Sequence, residues 1–395
     1  MTERLYYTDA HLQEFDAAVT RVEPRDGRTA VFLDRTAFYP TSGGQPFDLG
    51  TIESARVIDV IDEDRDIAHI VDGAVPPGAR VHGVIDWTRR FDHMQQHTGQ
   101  HVLSAAFDRL FNARTVSFHL GAEASTIDLS RELTAQQLAQ GEAEANRIVW
   151  ENHAVGIRYA SAEEAAALPL RKESAREGTL RLIDIDGFDL SACGGTHVSR
   201  TGAIGVIALG GVERFKGGQR VEFFCGGRAL KKWRAMRDAL AGAVRVLSVL
   251  PDALPQAIEK LQAESRARQK AIASLQQDLA QFQAREFAAD AEQIPAGRLV
   301  ARAIVADANG LKSLASAITS APGFIAVLAS ASQPALVVVA RSADVSVAAN
   351  QVLSGLTAKF GGRGGGKPDL AQAGGLNADA SAILAAARLL VTPGI

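Results

Sequence analysis

The sequence has few cysteines and no long apolar runs, and each shortage excludes a class of protein. Only two cysteines, Cys193 and Cys225, occur in 395 residues, so a disulfide framework is excluded and a reducing compartment fits. Apolar runs such as ALVVVA, which begins at Ala335, are far shorter than the ~20 residues that cross a bilayer as a helix. The N-terminus carries charge where a signal peptide needs an apolar stretch. We therefore expect a cytoplasmic protein without a membrane partner.

The chain has no overall excess of positive charge, but basic residues are concentrated in one window. The formal net charge is −3, and residues 1–90 hold 10 Lys and Arg against 16 Asp and Glu. Residues 213–237, in contrast, hold 8 basic residues against 2 acidic ones. From charge alone, this window is either a surface that contacts phosphate groups or the solvated face of a helix.

The pattern of apolar residues and turns predicts an α+β protein in four parts. Short strands separated by Gly, Pro and Asp come first, as in a small β-barrel or sandwich. A helix predicted from Phe91, further strands and a helix at 134–153 with Thr134 as its N-terminal cap then form an α/β domain. A long helix and a C-terminal α/β domain follow. The predicted boundaries are 1–90 for the β-barrel domain, 91–240 for the α/β domain, 250–290 for the long helical segment and 295–395 for the C-terminal domain.

The long helix carries an apolar seam at the a and d positions of one heptad frame. Ser265 and Arg268 interrupt this seam, so a spacer packed on its neighbours and a dimerising coiled coil both remain open. A homodimer would form through the helical and C-terminal regions. The apolar seam residues are Ile258, Leu261, Ile272, Leu275, Leu279 and Phe282.

His97 and His101, in the stretch HTGQH, predict a metal site. A spacing of four places both imidazoles on one face of a helix, about one turn apart, as a single metal ion requires. The predicted apolar stripe of this helix lies elsewhere on its surface, so we expect the histidines to lie off the core face. The stripe consists of Leu103, Ala106, Phe107 and Leu110.

A second pair, Cys193 and His197 in CGGTH, completes a donor set that suits Zn²⁺. The two glycines between them are expected to let the backbone turn sharply. A buried, inert Cys193 is the alternative, but it leaves the glycines and the histidine unexplained. Four protein donors are typical of a structural zinc, whereas the polar neighbours Thr98, Gln100 and Thr196 favour an active-site metal.

The motif H-x-x-x-H followed far downstream by C-G-G-T-H resembles the editing domain of alanyl-tRNA synthetase and of the freestanding alanyl-tRNA editing proteins of the AlaX type. YPTSGGQPFDLG from Tyr39 is similar to the family's glycine-rich β segment, and RTVSFHLG from Arg114 to its pocket strand. GGRGGGKPDLAQAGG from Gly361 is similar to the synthetase C-terminal domain. The chain resembles the long freestanding form, because no aminoacylation domain is recognisable.

The resemblance implies a zinc-dependent hydrolase that deacylates mischarged Ser-tRNA(Ala), and also Gly-tRNA(Ala). It implies that His97, His101, Cys193 and His197 bind Zn²⁺. The synthetases commonly have Thr before the second histidine and Gln on the following strand, whereas this chain has Gln100 and Ser117-Phe118-His119. The identity of the side chain that recognises the serine hydroxyl therefore stays open, and the candidate catalytic-site residues are Thr98, Gln100 and Ser117.

Glycine-rich and basic segments are the expected tRNA contacts. SGGQP at 42–46 is interpreted as a turn between strands, with a place beside the pocket as a second option. The glycine-rich segment from Gly361 is predicted to form a loop between two helices. It lacks the G-K-[ST] ending of a P-loop, and the resemblance assigns it to tRNA contact. The residues expected to bind tRNA are Arg214, Lys216, Arg220, Arg363 and Lys367.

Two other functions remain open from the sequence. One is editing of another mischarged tRNA, such as Ser-tRNA(Thr), with the same core. The other is a non-catalytic tRNA-binding protein that keeps zinc for stability. A DHH-type phosphoesterase is excluded because its aspartate-rich metal motifs are missing from the sequence.

Overall fold

The computed structural model describes residues 1–171 and 178–392, and the chain divides into two units, 1–242 and 243–395. The first unit begins with short strands that the alternating sequence pattern predicts. These strands are β1 Glu3–Arg4, β2 Glu14–Arg25, β3 Arg28–Leu33, β4 Arg35–Thr36, β5 Gly50–Ile52, β6 Ala55–Glu63, β7 Asp66–Asp72 and β8 Arg80–Ile85. Six of them close into a barrel in the order β2-β3-β7-β6-β5-β8, and β1 pairs with β4.

The first helix, α1 (Trp87–Phe111), begins and ends at residues suited to those positions. Asp86 caps it by accepting a hydrogen bond from the Arg89 N–H, and Asn112 ends it in the left-handed conformation. Every residue from Gln96 to Phe107 is buried. This part of the helix is therefore enclosed on all sides. His97 and His101 are buried, but they belong to a polar cluster and not to the apolar core that contains Leu103 and Phe107.

The rest of the first unit forms two antiparallel sheets with helices against them. The elements are β9 Thr115–Leu120, β10 Ser125–Leu129, α2 Ala135–Glu151, β11 Val155–Ala160, α3 Ala162–Ala166, β12 Leu180–Ile185, β13 Asp189–Ala192, β14 Ile207–Phe215, β15 Gly218–Cys225 and α4 Gly226–Leu247. One sheet has the order β14-β15-β10-β9 and the other β11-β12-β13. Thr134 caps α2 in a capping box with Gln137, as predicted from the sequence.

Apolar residues of α1, α2 and the four-stranded sheet form the main core of this unit. Leu103, Ala106 and Phe107 lie in it, whereas Leu110 is 46% exposed. The prediction that Leu110 completes the apolar stripe is therefore wrong. A hydrophobic side chain near the end of a helix costs little when it stays in water.

The second unit is a six-stranded sheet with helices on both faces. Its elements are α5 Leu254–Ala289, β16 Glu292–Ile294, β17 Gly297–Ile304, α6 Ala308–Thr319, β18 Phe324–Ser330, β19 Ala335–Arg341, α7 Ala349–Phe360, β20 Arg363–Gly366, β21 Leu370–Leu376 and α8 Ala380–Val391. The strand order is β16-β17-β18-β19-β21-β20. One core involves α6 and the C-terminal part of α5, and the other involves α7 and α8.

Two features of the second unit differ from, or sharpen, the sequence prediction. The glycine-rich segment is not a loop, because Gly364 pairs with Ala373 in a hairpin of β20 and β21. The seam of α5 is exposed, from 41% at Ile258 to 70% at Phe282. Spacer and coiled-coil dimer both stay predictions for this helix.

Among the described residues, no helix combines the length and the apolar character needed to cross a membrane.

Candidate metal centre and substrate cavity

Two distant segments bring four metal-binding side chains together in the first unit. His97 and His101 lie one turn apart on α1, and Cys193 and His197 lie in the turn that follows β13. Their donor atoms all lie within 4.8 Å of one another. Cys193 Sγ is 3.3 Å from Nε2 of His97 and 3.3 Å from Nε2 of His197. The spacing argument from the sequence therefore predicted a real cluster.

Each histidine of the cluster has a second partner on its outer nitrogen, Nδ1. Such partners fix the orientation of a metal-binding imidazole and leave Nε2 free to face the ion. The three pairs are His97 with Gln45 Oε1 at 2.9 Å, His101 with Asp189 Oδ2 at 3.2 Å and His197 with Thr98 Oγ1 at 3.2 Å.

The electrostatics of the cluster favour the forms that bind a metal ion. Burial alone raises the pKa of Cys193, but His97 and His197 outweigh it and hold the pKa well below its ordinary value. Burial lowers the pKa of His197 to about 3, so its imidazole is neutral. A thiolate beside neutral imidazoles is the donor state that Zn²⁺ requires.

The pKa of His101 is shifted in the opposite direction to that of His197. Burial lowers its pKa, but hydrogen bonds with Asp189 and Cys193 outweigh that effect and raise it above the ordinary value. For Asp189, burial acts in the other direction and raises the pKa. Hydrogen bonds from His101 and Arg171 outweigh burial and hold the pKa of Asp189 well below its usual range.

The donor set fits a zinc ion. Zinc bonds to nitrogen and sulfur are about 2.0–2.3 Å long, so the ligands of one ion lie within roughly 4.6 Å of one another. The four donors come close to this limit. Three imidazoles and one thiolate also match zinc in softness, and these residues could therefore hold a Zn²⁺ ion.

Close approach, rather than positive φ, explains the glycines of the two motifs. The backbone bends at Gly195, but neither Gly194 nor Gly195 adopts positive φ. A Cβ on Gly195 would lie 2.1 Å from Cε1 of His97, and one on Gly99 would lie 2.2 Å from Sγ of Cys225. These glycines let the segments pack directly on each other.

A cavity of about 710 Å³ reaches two of the four metal-binding side chains, His101 and Cys193. Its size is in the range of ligand-binding pockets. Gly43 and Gly44 also line the cavity. The SGGQP loop at 42–46 therefore lies beside the cavity, which was the second of the two interpretations drawn from the sequence. Within that loop, Ser42 and Gln45 form a tight turn, with the Gln45 N–H 2.9 Å from the Ser42 carbonyl oxygen.

The three candidate recognition residues differ in position and in bonding. Gln100 and Ser117 line the cavity, whereas Thr98 does not. The Ser117 hydroxyl donates to Asp128, and the Thr98 hydroxyl accepts a hydrogen bond from the Val198 N–H at 3.1 Å. Gln100 donates through Nε2 to Ser104 Oγ at 2.8 Å. Its Oε1 is buried without a partner among residues 1–171 and 178–392.

The basic candidates lie on two hairpins, one in each unit. Arg214, Lys216 and Arg220 belong to the β14–β15 hairpin. Arg214 is 86% exposed and forms a surface ion pair with Glu132 at 3.2 Å. Arg220 instead pairs with Asp128 at 2.7 Å, which raises the pKa of Arg220 and lowers that of Asp128. Arg363 and Lys367, on the glycine-rich hairpin, are both exposed.

Two functional residues of the cluster were missed in the sequence. Gln45 had a signal in the sequence, because it follows two glycines that favour a turn. In the structure both glycines adopt positive φ. Asp189 had none beyond its place four residues before Cys193. Both reach the histidines only through the tertiary fold.

Known proteins resemble the chain in three segments and over nearly its full length. Residues 3–89 match the family of class II (A) tRNA synthetases. Residues 180–222 match the second additional domain of threonyl- and alanyl-tRNA synthetases, and residues 297–392 the DHHA1 domain. The alanyl-tRNA editing protein AlaX-L of Pyrococcus horikoshii is 31% identical over 94% of both chains. This chain belongs to the AlaX-L family of alanyl-tRNA editing proteins.

Alanine–tRNA ligases are similarly close relatives of this AlaX-L family member. The ligase of Pyrococcus abyssi is 32% identical over 94% of the chain, which spans 42% of the ligase. Among solved structures, the C-Ala domain of Aquifex aeolicus alanyl-tRNA synthetase matches 26% of this chain. The two sequences are 22% identical, and the TM-score is 0.25.

Proposed function

We propose that the protein hydrolyses the ester of mischarged Ser-tRNA(Ala), and of Gly-tRNA(Ala), in a zinc-dependent reaction. One observation carries the proposal. The cavity reaches His101 and Cys193 of the buried cluster, and each histidine of this cluster is oriented by a hydrogen bond at its Nδ1. A purely structural zinc needs no cavity at its ligands. Membership of the alanyl-tRNA editing family and the alanyl-tRNA ligase relatives support alanine tRNA.

The ligand set would be His97, His101, Cys193 and His197. Zinc, when bound, supplies a Lewis acid that polarises a carbonyl or a water molecule. The outer partners Gln45, Asp189 and Thr98 hold the imidazoles in place.

Gln100 is the residue proposed to recognise the serine hydroxyl. Its Nε2 is anchored on Ser104 Oγ, which also accepts a hydrogen bond from Thr115 at 2.7 Å. This anchor leaves Oε1 as an unpaired buried acceptor on a residue that lines the cavity. An unpaired buried acceptor costs about 1–3 kcal/mol, and a substrate hydroxyl would remove that cost. Alanine and glycine have no side-chain hydroxyl, so this contact would favour the seryl ester over both.

Thr98 and Ser117 fit other roles. Thr98 is fully buried between His197 and the Val198 N–H, which makes it a positioning residue for the metal centre. Ser117 donates its hydroxyl hydrogen to Asp128, so it has no free donor for a substrate.

The tRNA body would be held partly through its phosphates. Arg214 and Lys216 are exposed on the β14–β15 hairpin, and Arg363 and Lys367 on the glycine-rich hairpin. Arg220 contributes charge but is engaged by Asp128. Binding through phosphates weakens as salt rises, whereas a salt-independent affinity would argue against these contacts.

The test is deacylation of Ser-tRNA(Ala), Gly-tRNA(Ala) and Ala-tRNA(Ala) by the purified protein. Cys193→Ala and chelator-treated samples run beside it, with Cys225→Ala as the matched cysteine control. Fast loss of serine, spared alanine and inactivity of the Cys193→Ala sample are expected. Intact Ser-tRNA(Ala) with a protein that binds zinc would overturn the proposal, and Ser-tRNA(Thr) would then be assayed.

A further inference from the structure

Two tyrosines extend the cavity wall from the metal-ligand turn to the solvent. Tyr7 lies against this turn, because a Cβ on Gly194 would be 3.8 Å from the Tyr7 hydroxyl. Tyr159, on β11, also lines the cavity and is 53% exposed. The outer part of the cavity therefore has an aromatic wall, whereas its inner part is formed by the metal-binding residues.

Hydrogen bonds hold this aromatic wall in one position. The Tyr159 hydroxyl donates to the Tyr7 carbonyl at 3.1 Å, and Arg181 Nε donates to the same oxygen at 3.0 Å. Arg181 Nη1 also donates to the carbonyls of Cys193 at 2.7 Å and Gly195 at 3.0 Å. One guanidinium thus connects the tyrosines to the turn that carries two metal-binding residues.

The ring of Tyr159 is exposed at the cavity although its hydroxyl bonds to the protein. An exposed tyrosine ordinarily directs its hydroxyl to water, whereas this hydroxyl is bonded to the protein. What remains at the cavity is an immobilised aromatic ring, and such a ring suits a flat ligand with a π face.

We infer that Tyr159, supported by Tyr7 and Arg181, stacks on the terminal adenine of the acylated tRNA. The inference rests on the proposed function and adds a binding site for the nucleoside. The reacting ester joins the amino acid to the terminal ribose, so an ester at His101 and Cys193 places the nucleoside in the remaining, outer part of the cavity. Stacking on aromatic side chains is how proteins commonly hold bases at single-stranded RNA ends.

The first test is a binding measurement that needs no catalysis. A tRNA minihelix carries 2-aminopurine as its terminal base and serine in a non-hydrolysable amide linkage. Stacking quenches 2-aminopurine fluorescence, so the wild type should quench it and Tyr159→Ala should not. Tyr159→Phe should keep most of the quenching, since it keeps the ring. Trp150→Ala is the matched control, because Trp150 is 74% exposed and does not line the cavity.

The second test is a cycle of kinetic measurements on seryl minihelices with a terminal adenosine or an abasic terminal residue. Tyr159→Ala should raise KM for the intact substrate about tenfold or more, with kcat changed much less. The wild type and Tyr159→Ala should be equally slow on the abasic substrate. Removing the base and removing the ring both abolish the same stacking contact.

The outcomes separate this inference from the proposed function. A wild type that deacylates Ser-tRNA(Ala), together with equal quenching by wild type and Tyr159→Ala, overturns the stacking role alone. Additive losses in the cycle do the same. A wild type that quenches the fluorophore but hydrolyses no ester overturns the proposed function and leaves the nucleoside site in place.

Discussion

Gln45 Oε1 accepts a hydrogen bond from His97 Nδ1 at 2.9 Å, although the two residues are 52 positions apart. The same amide also bonds two polar groups of Thr196: its oxygen accepts from the backbone N–H at 3.1 Å, and its nitrogen donates to Oγ1 at 2.8 Å. One side chain of the glycine-rich loop therefore fixes a histidine on α1 and the turn after β13 together. Gln45 is fully buried, so water cannot replace these bonds.

Gln45→Leu is expected to weaken zinc binding about 10- to 100-fold, because loss of an outer partner frees the imidazole to rotate. Competition with a chromophoric chelator measures the affinity. Gln136→Leu, at an exposed position of α2, is the control. A folded Gln45→Leu protein with wild-type zinc affinity would show that the loop does not support the cluster.

Gly195→Ala is expected to disrupt the metal centre, whereas Gly194→Ala is expected to retain it. An added Cβ would lie 2.4 Å from Nδ1 of His97 at position 195, but 3.8 Å from its nearest neighbour, the Tyr7 hydroxyl, at position 194. Zinc content per chain after dialysis compares the two variants. Equal zinc content in both would contradict the importance of this close approach.

The metal cluster was predictable because each half is encoded locally. A spacing of four on a helix brings His97 and His101 together, and a short turn does the same for Cys193 and His197. The outer partners were not predictable, since Gln45 and Asp189 contact the histidines only after the barrel and β13 pack against α1. No local pattern carries that information.

The fold shows the same division between local and tertiary information. Strong periodicity gave the barrel strands and α5, and the capping residue Thr134 marked the start of α2. The glycine-rich segment that begins at Gly361 was wrongly predicted to be a loop, because glycine is rare in strands. In β20, however, a Cβ on Gly364 would lie 2.2 Å from the Gln372 carbonyl oxygen. Close contact with the neighbouring strand thus selects glycine there.

Arg90→Met is expected to destabilise the first unit by about 3–5 kcal/mol, because it leaves a buried carboxylate uncompensated. Arg90 and Asp48 are both fully buried and ion-paired, and Arg90 also donates to the carbonyl of Ala10 at 2.9 Å. Urea unfolding followed by tryptophan fluorescence reports on this unit, since all three tryptophans precede residue 243. A double variant with Asp48→Leu should recover part of the loss; purely additive losses would contradict the pairing.

His69 should make the barrel less stable in mild acid. Burial lowers its pKa from 6.5 to about 4, and its ring accepts from Thr36 and donates to the Val31 carbonyl as a neutral imidazole. Since the unfolded state binds the proton more tightly, this contribution is complete above pH 6.5 and is lost as pH falls towards 4. The loss amounts to about 3 kcal/mol. His69→Gln, compared with wild type by urea unfolding at pH 7 and pH 4, should lack this part of the pH dependence; identical pH dependence would refute it.

Gln100→Leu should separate recognition of serine from hydrolysis itself. If Oε1 accepts the substrate hydroxyl, its loss lowers kcat/KM for Ser-tRNA(Ala) by about 5- to 150-fold, corresponding to 1–3 kcal/mol. The glycyl group of Gly-tRNA(Ala) has no side-chain hydroxyl, so deacylation of this substrate should change little. Ser117→Ala is the control at a second residue that lines the cavity, and it should keep the wild-type ratio of the two rates. Equal losses on both substrates would mean that Gln100 binds a group they share, such as the α-amino group, and the assignment of the serine hydroxyl to this side chain would be withdrawn.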